Sequence, residues 1–540
     1  MTTFGIDLGT TYSCIAYVDD SGRARVIRNA LGEETTPSVV YFESASSTIV
    51  GRDAKNVSKL EPDLVVSLIK RQMGTDWKRE FHGQVHTPET VSALILRELA
   101  NYAFQETQET VKDVVITVPA YFGLAEREAT RNAGRIAGLN VLNVISEPVA
   151  AALHYEAMGP GQDRTILVFD LGGGTFDTTV IRLAGDNIQT VCTDGSKSLG
   201  GADWDDKIAD YLLDLFVEEN PGSAPRDSED FIQELAIVAE DIKKSLSTAQ
   251  SRRYPMKFDG EICRAEVTRA AFEEFTSFLL TQAMEITERT VRTAQAQRID
   301  RYDDVLLVGG SSRMPAVATA LREKFGFSPR LHEPDQAVAK GAAHFAVIEW
   351  VKSMLPGDSA DAASDERVAA VADQAHIQAA KVRQFREKSV TTVVPRAFGV
   401  RVWADDDDSD EKDAKRSVIR HILEANRPLP AAPQTKQFYT KYPDQTSILI
   451  EIWEQAGSIA SDDLSDNTKI GQGVISGLPE LPKHSPVDVT FRMNDTGLLT
   501  VDAEELRTHK RLKFDLQIKG LSGDQLEAAK ETVSGYEVSE

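Results

Sequence analysis

The chain has 540 residues, of which 41% are hydrophobic, and it carries a formal charge of −24 at pH 7. This length predicts two or more domains, and the apolar content is high enough to build their cores. The acidic balance argues against a nucleic-acid-binding protein, because phosphate contacts require a basic face.

The cysteines and the N-terminal residues indicate the cellular compartment in which the protein resides. Cys14, Cys192 and Cys263 are far apart and lack metal-ligand spacing, which favours a reducing environment. The first residues lack the basic region and apolar core of a signal peptide, and no apolar run approaches the roughly 18 residues of a membrane helix. We therefore expect a cytoplasmic protein that does not bind membranes.

The first predicted strand lies in FGIDLGTTYS (Phe4–Ser13), and its pattern returns in ILVFDLGGGTFD (Ile166–Asp177). Each strand ends at an aspartate and passes at once into glycine and threonine. Glycine lets backbone N–H groups approach phosphate oxygens, and the aspartate can hold the hydrated magnesium that accompanies phosphates. Two copies of the pattern predict a duplicated fold that holds one nucleotide from both sides, and therefore a protein that uses ATP.

Strands alternate with helices from Met1 to about Ile348, which predicts a mixed α/β architecture. In chain order, the clearest predicted elements are a strand over Val114–Phe122, a helix over Leu124–Ala137, a strand, turn and Ala-rich helix within Val141–Glu156, helices over Asp230–Leu246 and Thr268–Gln297, and a strand over Val305–Val308.

The pattern changes at Trp350–Lys388, where a polar break precedes a charged, Ala-rich helical stretch that looks like a spacer or an added helix. Strand runs follow, with period-two alternation in Ile448–Trp453, and predict an all-β domain. The acidic run Asp405–Asp413 predicts a solvated loop. The predicted divisions are a nucleotide-binding domain over 1–348, a linker or helical insert over 349–388, a β-sandwich over 389–520 and a short tail with one short helix over 521–540.

An ordered set of motifs identifies a family: FGIDLGTTYS, ITVPAYF, ISEPVAAA, VFDLGGGTFD, LGGAD, E-x-x-K-K-S-L-S and VLLVGGSSRMP. Over Thr3–Ala346 this set resembles the ATPase domain of the 70-kDa heat-shock protein (DnaK-type) chaperones, which has the actin-like, ribonuclease H-like duplicated fold. The β domain resembles, more loosely, their substrate-binding sandwich. The resemblance implies slow, Mg²⁺-dependent ATP hydrolysis, binding of ATP or ADP, and K⁺ as a further candidate ion.

The resemblance also implies residue roles, several of which have plainer explanations when each residue is taken alone. Lys70 by itself is one helix-surface lysine, and the five apolar residues below would also fill an ordinary sandwich core. The implied roles are catalytic for Lys70, Glu147, Thr175 and Asp177; Mg²⁺ binding through water for Asp7 and Asp170; nucleotide binding for Asp7, Gly9, Thr10, Thr11, Tyr12, Asp170, Gly172, Gly173, Gly174, Gly200, Gly201, Asp203, Glu240, Lys243, Lys244, Ser247, Gly309, Gly310, Ser311, Arg313 and Asp335; and peptide binding for Val400, Trp403, Phe438, Ile448 and Ile450.

The sequence departs from the family pattern in four places. The usual acidic, Leu-rich interdomain linker is replaced by Trp350–Lys388 and KSVTTVVP, and Gly74–Pro88 is short. Asn143 and Ser146 replace the usual Arg and Asn of the J-domain docking positions, which puts a standard J-domain partner in doubt. No helical lid follows the β domain, so bound peptide should leave quickly.

The sequence therefore predicts an ATP-hydrolysing, lidless chaperone relative that binds unfolded or extended apolar peptide segments, with co-chaperones as further partners. One alternative is a nucleotide-gated scaffold or regulator that binds a single dedicated protein. Another is a small-molecule kinase of the same fold, against which the β domain argues because such kinases lack it.

Overall fold

The computed structural model describes residues 2–159, 163–356, 364–403, 417–457, 459–495, 497–516 and 521–539. The predicted acidic loop Asp405–Asp413 lies outside these residues. None of the described helices is both long enough and apolar enough to cross a membrane.

Strands and helices alternate through the N-terminal region, as the sequence predicts. Its strands are β1 (Phe4–Asp7), β2 (Tyr12–Val18), β3 (Ala24–Val26), β4 (Thr36–Pro37), β5 (Val40–Phe42), β6 (Ser47–Val50), β7 (Val65–Val66), β8 (Arg79–Phe81), β9 (Gln84–His86), β10 (Asp113–Val118), β11 (Asn140–Ser146), β12 (Arg164–Leu171), β13 (Phe176–Ala184), β14 (Asn187–Ser196), β15 (Ser251–Phe258), β16 (Glu261–Thr268), β17 (Asp304–Val308), β18 (Pro329–Leu331) and β19 (Ser389–Thr391). Its helices are α1 (Arg52–Val57), α2 (Pro88–Thr107), α3 (Leu124–Ile136), α4 (Glu147–Met158), α5 (Gly201–Glu219), α6 (Glu229–Leu246), α7 (Arg269–Phe275), α8 (Ser277–Ala296), α9 (Pro315–Phe325), α10 (Ala337–Met354), α11 (Asp365–Ala375) and α12 (Ala379–Glu387).

Strands dominate the C-terminal region. They are β20 (Phe398–Trp403), β21 (Ser417–Leu423), β22 (Ala431–Tyr439), β23 (Ile448–Gln455), β24 (Asn467–Ile475), β25 (Pro486–Met493), β26 (Leu499–Glu505), β27 (Lys510–Asp515) and, after helix α13 (Gly523–Ser534), β28 (Glu537–Ser539).

The duplication predicted from the two glycine-rich turns is visible in the sheets. The first sheet has the order β11-β10-β1-β2-β3, and the second has the order β18-β17-β12-β13-β14-β19. In the first, β1 pairs antiparallel with β2 and parallel with β10; in the second, β12 pairs antiparallel with β13 and parallel with β17. Helix α10 packs on the first sheet and α4 on the second, and the two helices contact each other. This is the duplicated actin-like arrangement.

The C-terminal strands form a β-sandwich. One sheet has the order β21-β20-β23-β24 and the other β22-β25-β26-β27, with antiparallel pairing throughout the described strands. Apolar side chains such as Phe398, Ile452 and Phe491 fill the space between the sheets. Strand β22 lacks the period-two alternation of Ile448–Trp453, and it contains Pro433 and the polar run 434–437.

The insert between the two regions is part of the N-terminal core. The helical stretch predicted at the end of Trp350–Lys388 is two helices, α11 and α12, separated at His376, which has a φ of 55°. Val368 and Phe385 are buried against the core that contains α4 and α10. The insert is therefore a docked helical hairpin rather than a spacer.

The segment KSVTTVVP also docks on the N-terminal region. Its residues Ser389–Thr391 form β19, which pairs in parallel with β14 at the edge of the second sheet. Lys388, just before it, forms a buried ion pair with Glu156 at 2.7 Å. This docking could not be predicted from the sequence, because the strand has only three residues.

The C-terminal tail was predicted to form one short helix and then stop. The structure confirms the helix, α13, but adds β28, which pairs in parallel with β6 of the N-terminal region. The prediction was incomplete here because the sheet edge that receives β28 lies almost the whole length of the chain away.

Candidate nucleotide-binding site

The turn after β1 and the turn after β12 lie against each other. A Cβ atom on Gly173 would overlap the side chain of Thr11, and one on Gly174 would overlap Thr10. The second turn is closed by a hydrogen bond from the Gly172 N–H to the Thr175 carbonyl at 3.0 Å. Glycine is therefore required at 173 and 174 by the close approach of the two turns, which is the arrangement that the repeated pattern predicted.

A third predicted turn joins the same place. The N–H of Gly201 donates to the carbonyl of Gly172 at 2.9 Å. The carboxylate of Asp203 accepts from the N–H of Gly200 at 2.7 Å and forms an ion pair with Arg71 at 2.6 Å. Arg71 also donates to the Gly174 carbonyl at 2.9 Å, so it links the two turns.

The fourth turn follows β17. Gly309 has a φ of 79°, a conformation that favours glycine, and its α-carbon faces the carbonyl of Leu171. Ser311 lies next to Gly201, and Gly310 faces Asp335, which forms an ion pair with Arg313. The structure thus brings together the predicted residues of all four turns, although their roles in nucleotide binding stay predictions.

Next to these turns lies a cluster of four carboxyl groups and one lysine, of which Asp7 is half-buried and Lys70, Glu147, Asp170 and Asp177 are buried. Lys70 is 3% exposed and forms an ion pair with Glu147. Asp7 accepts a hydrogen bond from the hydroxyl of Thr117 at 3.0 Å. Asp177 accepts two, from the backbone N–H groups of residues 120 and 121, both at 3.0 Å.

The cluster holds more buried negative charge than Lys70 offsets. Burial, and then the charge of Glu147, raise the pKa of Asp7 to about 7. The same two causes raise the pKa of Asp177 to about 7 and that of Asp170 well above its ordinary value. Such a site is suited to a cation, because a cation would allow these carboxyl groups to ionise.

The residues fit a magnesium ion held through water. Carboxylate oxygens are the ligands that Mg²⁺ prefers, and Mg²⁺ usually keeps several of its waters. Within the described ranges, no three His, Cys, Asp or Glu side chains are placed to bind a metal ion directly. Asp7 and Asp170 are therefore candidates to hold the hydrated ion next to the turns.

Asp7→Asn is expected to stabilise the nucleotide-free protein at pH 8 by about 1–4 kcal/mol. The folded-state pKa of about 7 lies above the unfolded-state value of about 3.9. The folded protein therefore binds more protons between these values, and its stability falls as pH rises through that window. Denaturant unfolding at pH 4 and pH 8 measures the free energy of unfolding of both proteins. Equal stability of wild type and Asp7→Asn at pH 8 would refute the claim that a charged Asp7 destabilises the nucleotide-free protein.

A second set of charges bridges the two halves of the N-terminal region. Glu240, in α6, accepts from the Tyr12 hydroxyl at 2.9 Å and forms ion pairs with Lys55 and with Lys244, the latter at 2.7 Å. Burial opposes ionisation, but the two lysines outweigh it and hold the pKa of Glu240 at about 2. Tyr12, Glu240 and Lys244 were predicted site residues, whereas Lys55 carried no signal in the sequence.

Lys243 faces a different neighbour from Lys244. Its ammonium group is buried and donates to the Gly201 carbonyl and to Asp205, both at 2.7 Å. The hydroxyl of Ser247 donates to the Lys243 carbonyl at 3.4 Å, one turn later in the same helix end. Lys243 therefore lies at the Gly201 turn, and helix α6 with its C-terminal end carries the predicted nucleotide-binding residues Glu240, Lys243, Lys244 and Ser247.

The five predicted peptide-binding residues occupy different environments. Val400 and Ile450 are buried in the sandwich core, and Phe438 and Ile448 are half-buried at its edge. Trp403 is 44% exposed, and the ammonium group of Lys441 lies 3.4 Å from the centre of its ring. The peptide-binding role of these residues stays a prediction.

A buried arginine connects the two domains next to the carboxyl cluster. Arg396 donates to the Tyr121 carbonyl at 3.0 Å and to Glu126 at 3.1 Å, and lies 3.9 Å from Glu454 of β23. The N–H of Tyr121 is in turn a hydrogen-bond donor to Asp177. One short run of backbone thus contacts both a predicted catalytic residue and the β domain.

A comparison with protein-family models agrees with this architecture. The model described as Hsp70 protein matches residues 3–355 and 359–537. The matched ranges include the glycine-rich turns, the carboxyl cluster, the β-sandwich and helix α13. They cover nearly the whole chain.

Proposed function

The chain belongs to the Hsp70 family, whose members are ATPases of chaperone type, and on this premise we propose that it is a cytoplasmic, slow, Mg²⁺-dependent ATPase that binds extended apolar segments of unfolded proteins. Members of the family bind ATP or ADP with Mg²⁺ and act on unfolded peptides with co-chaperones. Co-chaperones are therefore expected partners here, with a standard J-domain protein in doubt because of Asn143 and Ser146.

One observation carries the proposal: the glycine-rich turns and the Lys70–Glu147 pair meet at a single buried carboxyl cluster. When bound, Mg²⁺ would neutralise phosphate charge. Lys70 would offset charge that develops at the γ-phosphate and orient the attacking water. Asp177, with a pKa raised to about 7, has the affinity for a proton that a general base needs at neutral pH.

Hydrolysis by the purified chain tests the proposal. We expect phosphate release from ATP with Mg²⁺ and none when EDTA removes the metal. A mixture of sugars added to the same reaction tests the kinase alternative. Transfer of phosphate to a sugar instead of water would show a sugar kinase and contradict the proposed ATPase activity.

Trp403→Ala is expected to weaken binding of an extended apolar peptide by about tenfold, because an aromatic anchor contributes on the order of 1–2 kcal/mol to an interface. Trp403 is exposed, so the variant should keep its thermal stability. Fluorescence anisotropy with a labelled peptide measures the affinity. Leu498→Ala, another exposed apolar residue of the β domain, is the control and should bind normally.

Equal peptide affinity in the Trp403 variant and wild type would remove Trp403 from the binding surface. Ile450→Asp is a poorer test, because Ile450 is buried in the sandwich core and a carboxylate there should unfold the domain.

The scaffold alternative is favoured by the burial of Val400 and Ile450, which leaves less of the predicted cleft open to a peptide. A nucleotide-gated scaffold would bind one folded partner at a stoichiometry of one to one and would not bind unfolded clients. Affinity purification in ATP and in ADP, followed by measurement of the bound proteins, separates the two functions.

A further inference from the structure

The C-terminal tail is anchored on the N-terminal domain through a buried tyrosine. Tyr536 is 2% exposed, and its ring lies 6.0 Å from that of Phe42 and 5.6 Å from that of His86. Its hydroxyl is hydrogen-bonded to Nε2 of His86 at 3.1 Å. Val533, at the end of α13, is fully buried in the same core.

The backbone of the tail adds further contacts. Strand β28 extends the sheet of β5, β6 and β7, with Val538 opposite Thr48. The guanidinium of Arg97, in α2, donates to the carbonyls of Val533 and Tyr536. The tail is therefore held by side-chain packing, by a sheet edge and by the half-buried guanidinium of Arg97.

The chain between the β domain and the tail is short. Leu516 is buried in the sandwich core, and Leu521 packs against the N-terminal core. These residues are five steps apart in the sequence, which a fully extended chain spans in at most roughly 18 Å. On the N-terminal side of the β domain, the connection runs from Thr391 of β19 to Phe398 of β20. Its seven steps span at most roughly 25 Å. The β domain is thus tethered at both ends.

Helix α3 contacts both the β domain and the C-terminal tail. Its first residue, Leu124, belongs to the sandwich core, and Glu126 binds Arg396. The same helix packs against α13 of the tail. Separation of the β domain from α3 would therefore have to stretch two short connections or detach the tail.

We propose that residues 521–539 are a strap that keeps the β domain docked on the N-terminal domain in both the ATP-bound and the ADP-bound state. Signals between the domains then pass through the docked interface at Tyr121 and Arg396, and separation of the domains requires release of the strap. The proposal rests on the proposed nucleotide binding.

Energy transfer between two dyes tests the strap in the full chain. The native cysteines are buried, so dyes can be attached selectively to Cys residues introduced by Gln105→Cys on α2 and Lys513→Cys on β27. We expect the same transfer efficiency in ATP and ADP for this labelled chain. Adding Tyr536→Ala should lower the efficiency in ADP, whereas adding Tyr439→Ala, at an exposed tyrosine of the β domain, should not.

A nucleotide-dependent efficiency in the labelled chain with Tyr536 intact would overturn the strap, and so would an unchanged efficiency after Tyr536→Ala. If Tyr536→Ala does not fold, hydrogen exchange of the unlabelled chain decides: amides of β28 should stay protected in both nucleotides, and loss of protection in either contradicts the proposal. ATP hydrolysis is measured separately, so absent hydrolysis with intact β28 protection would contradict the proposed function alone.

Discussion

Replacing Lys70 with alanine is expected to lower the single-turnover rate of ATP hydrolysis by about a hundredfold or more, while ATP still binds. Lys70 is the cation that acts on Asp7 and Asp170 of the carboxyl cluster, and it forms a buried ion pair with Glu147. The positive charge of Lys70 would be needed most in the transition state, where it would offset the charge that develops at the γ-phosphate. Quenched-flow hydrolysis and calorimetric titration with ATP measure the two quantities.

Lys78→Ala is the matched control, because Lys78 is an exposed lysine a short distance along the chain. It should hydrolyse ATP at the wild-type rate. A Lys70→Ala protein that is folded, binds ATP and turns it over normally would remove Lys70 from the chemistry.

Replacing Arg396 with alanine is expected to lower the free energy of unfolding by about 3–5 kcal/mol, the usual cost of removing one partner from a buried ion pair. Arg396 is 4% exposed and lies between Glu126 and Glu454. Burial, and then Glu126, raise the pKa of Glu454 to about 7 even with the arginine present. Without it, two carboxyl groups would face each other across the domain interface.

Arg420→Ala provides the comparison, because the Arg420–Asp462 pair is half-exposed in the same domain and should contribute at most about 1 kcal/mol. Combining Arg396→Ala with Glu454→Gln should restore part of the loss. Denaturant unfolding at pH 8 measures all three proteins; equal losses for the Arg396 and Arg420 variants would mean that the interface charge is not buried in solution.

The glycine-rich turns could be predicted from the sequence because their requirements are local. A strand, an aspartate and glycines at fixed spacing fix each turn, and the repeat of that pattern implied that the two turns face each other. The same holds for helix α6, whose Glu240 and Lys244 are one helical turn apart.

Contacts between distant short segments could not be predicted in this way. Lys55 and Arg71 reach the site from separate elements, with no spacing that marks them. Strands β19 and β28 have three residues each and gain their stability from sheet edges far away in the chain. Alternation in Ile448–Trp453 identified a half-buried strand, but not whether its inward face lines a cleft or fills a core.

Single-turnover ATP hydrolysis with and without a saturating extended apolar peptide tests the central claim most directly. We expect hydrolysis in Mg²⁺ that the peptide accelerates, because Tyr121 contacts both Asp177 and the docked β domain. A hydrolysis rate that is the same with and without the peptide would contradict coupling between the β domain and the ATPase site. It would favour a scaffold with a dedicated partner. No hydrolysis at all would contradict the account and leave a nucleotide-binding switch.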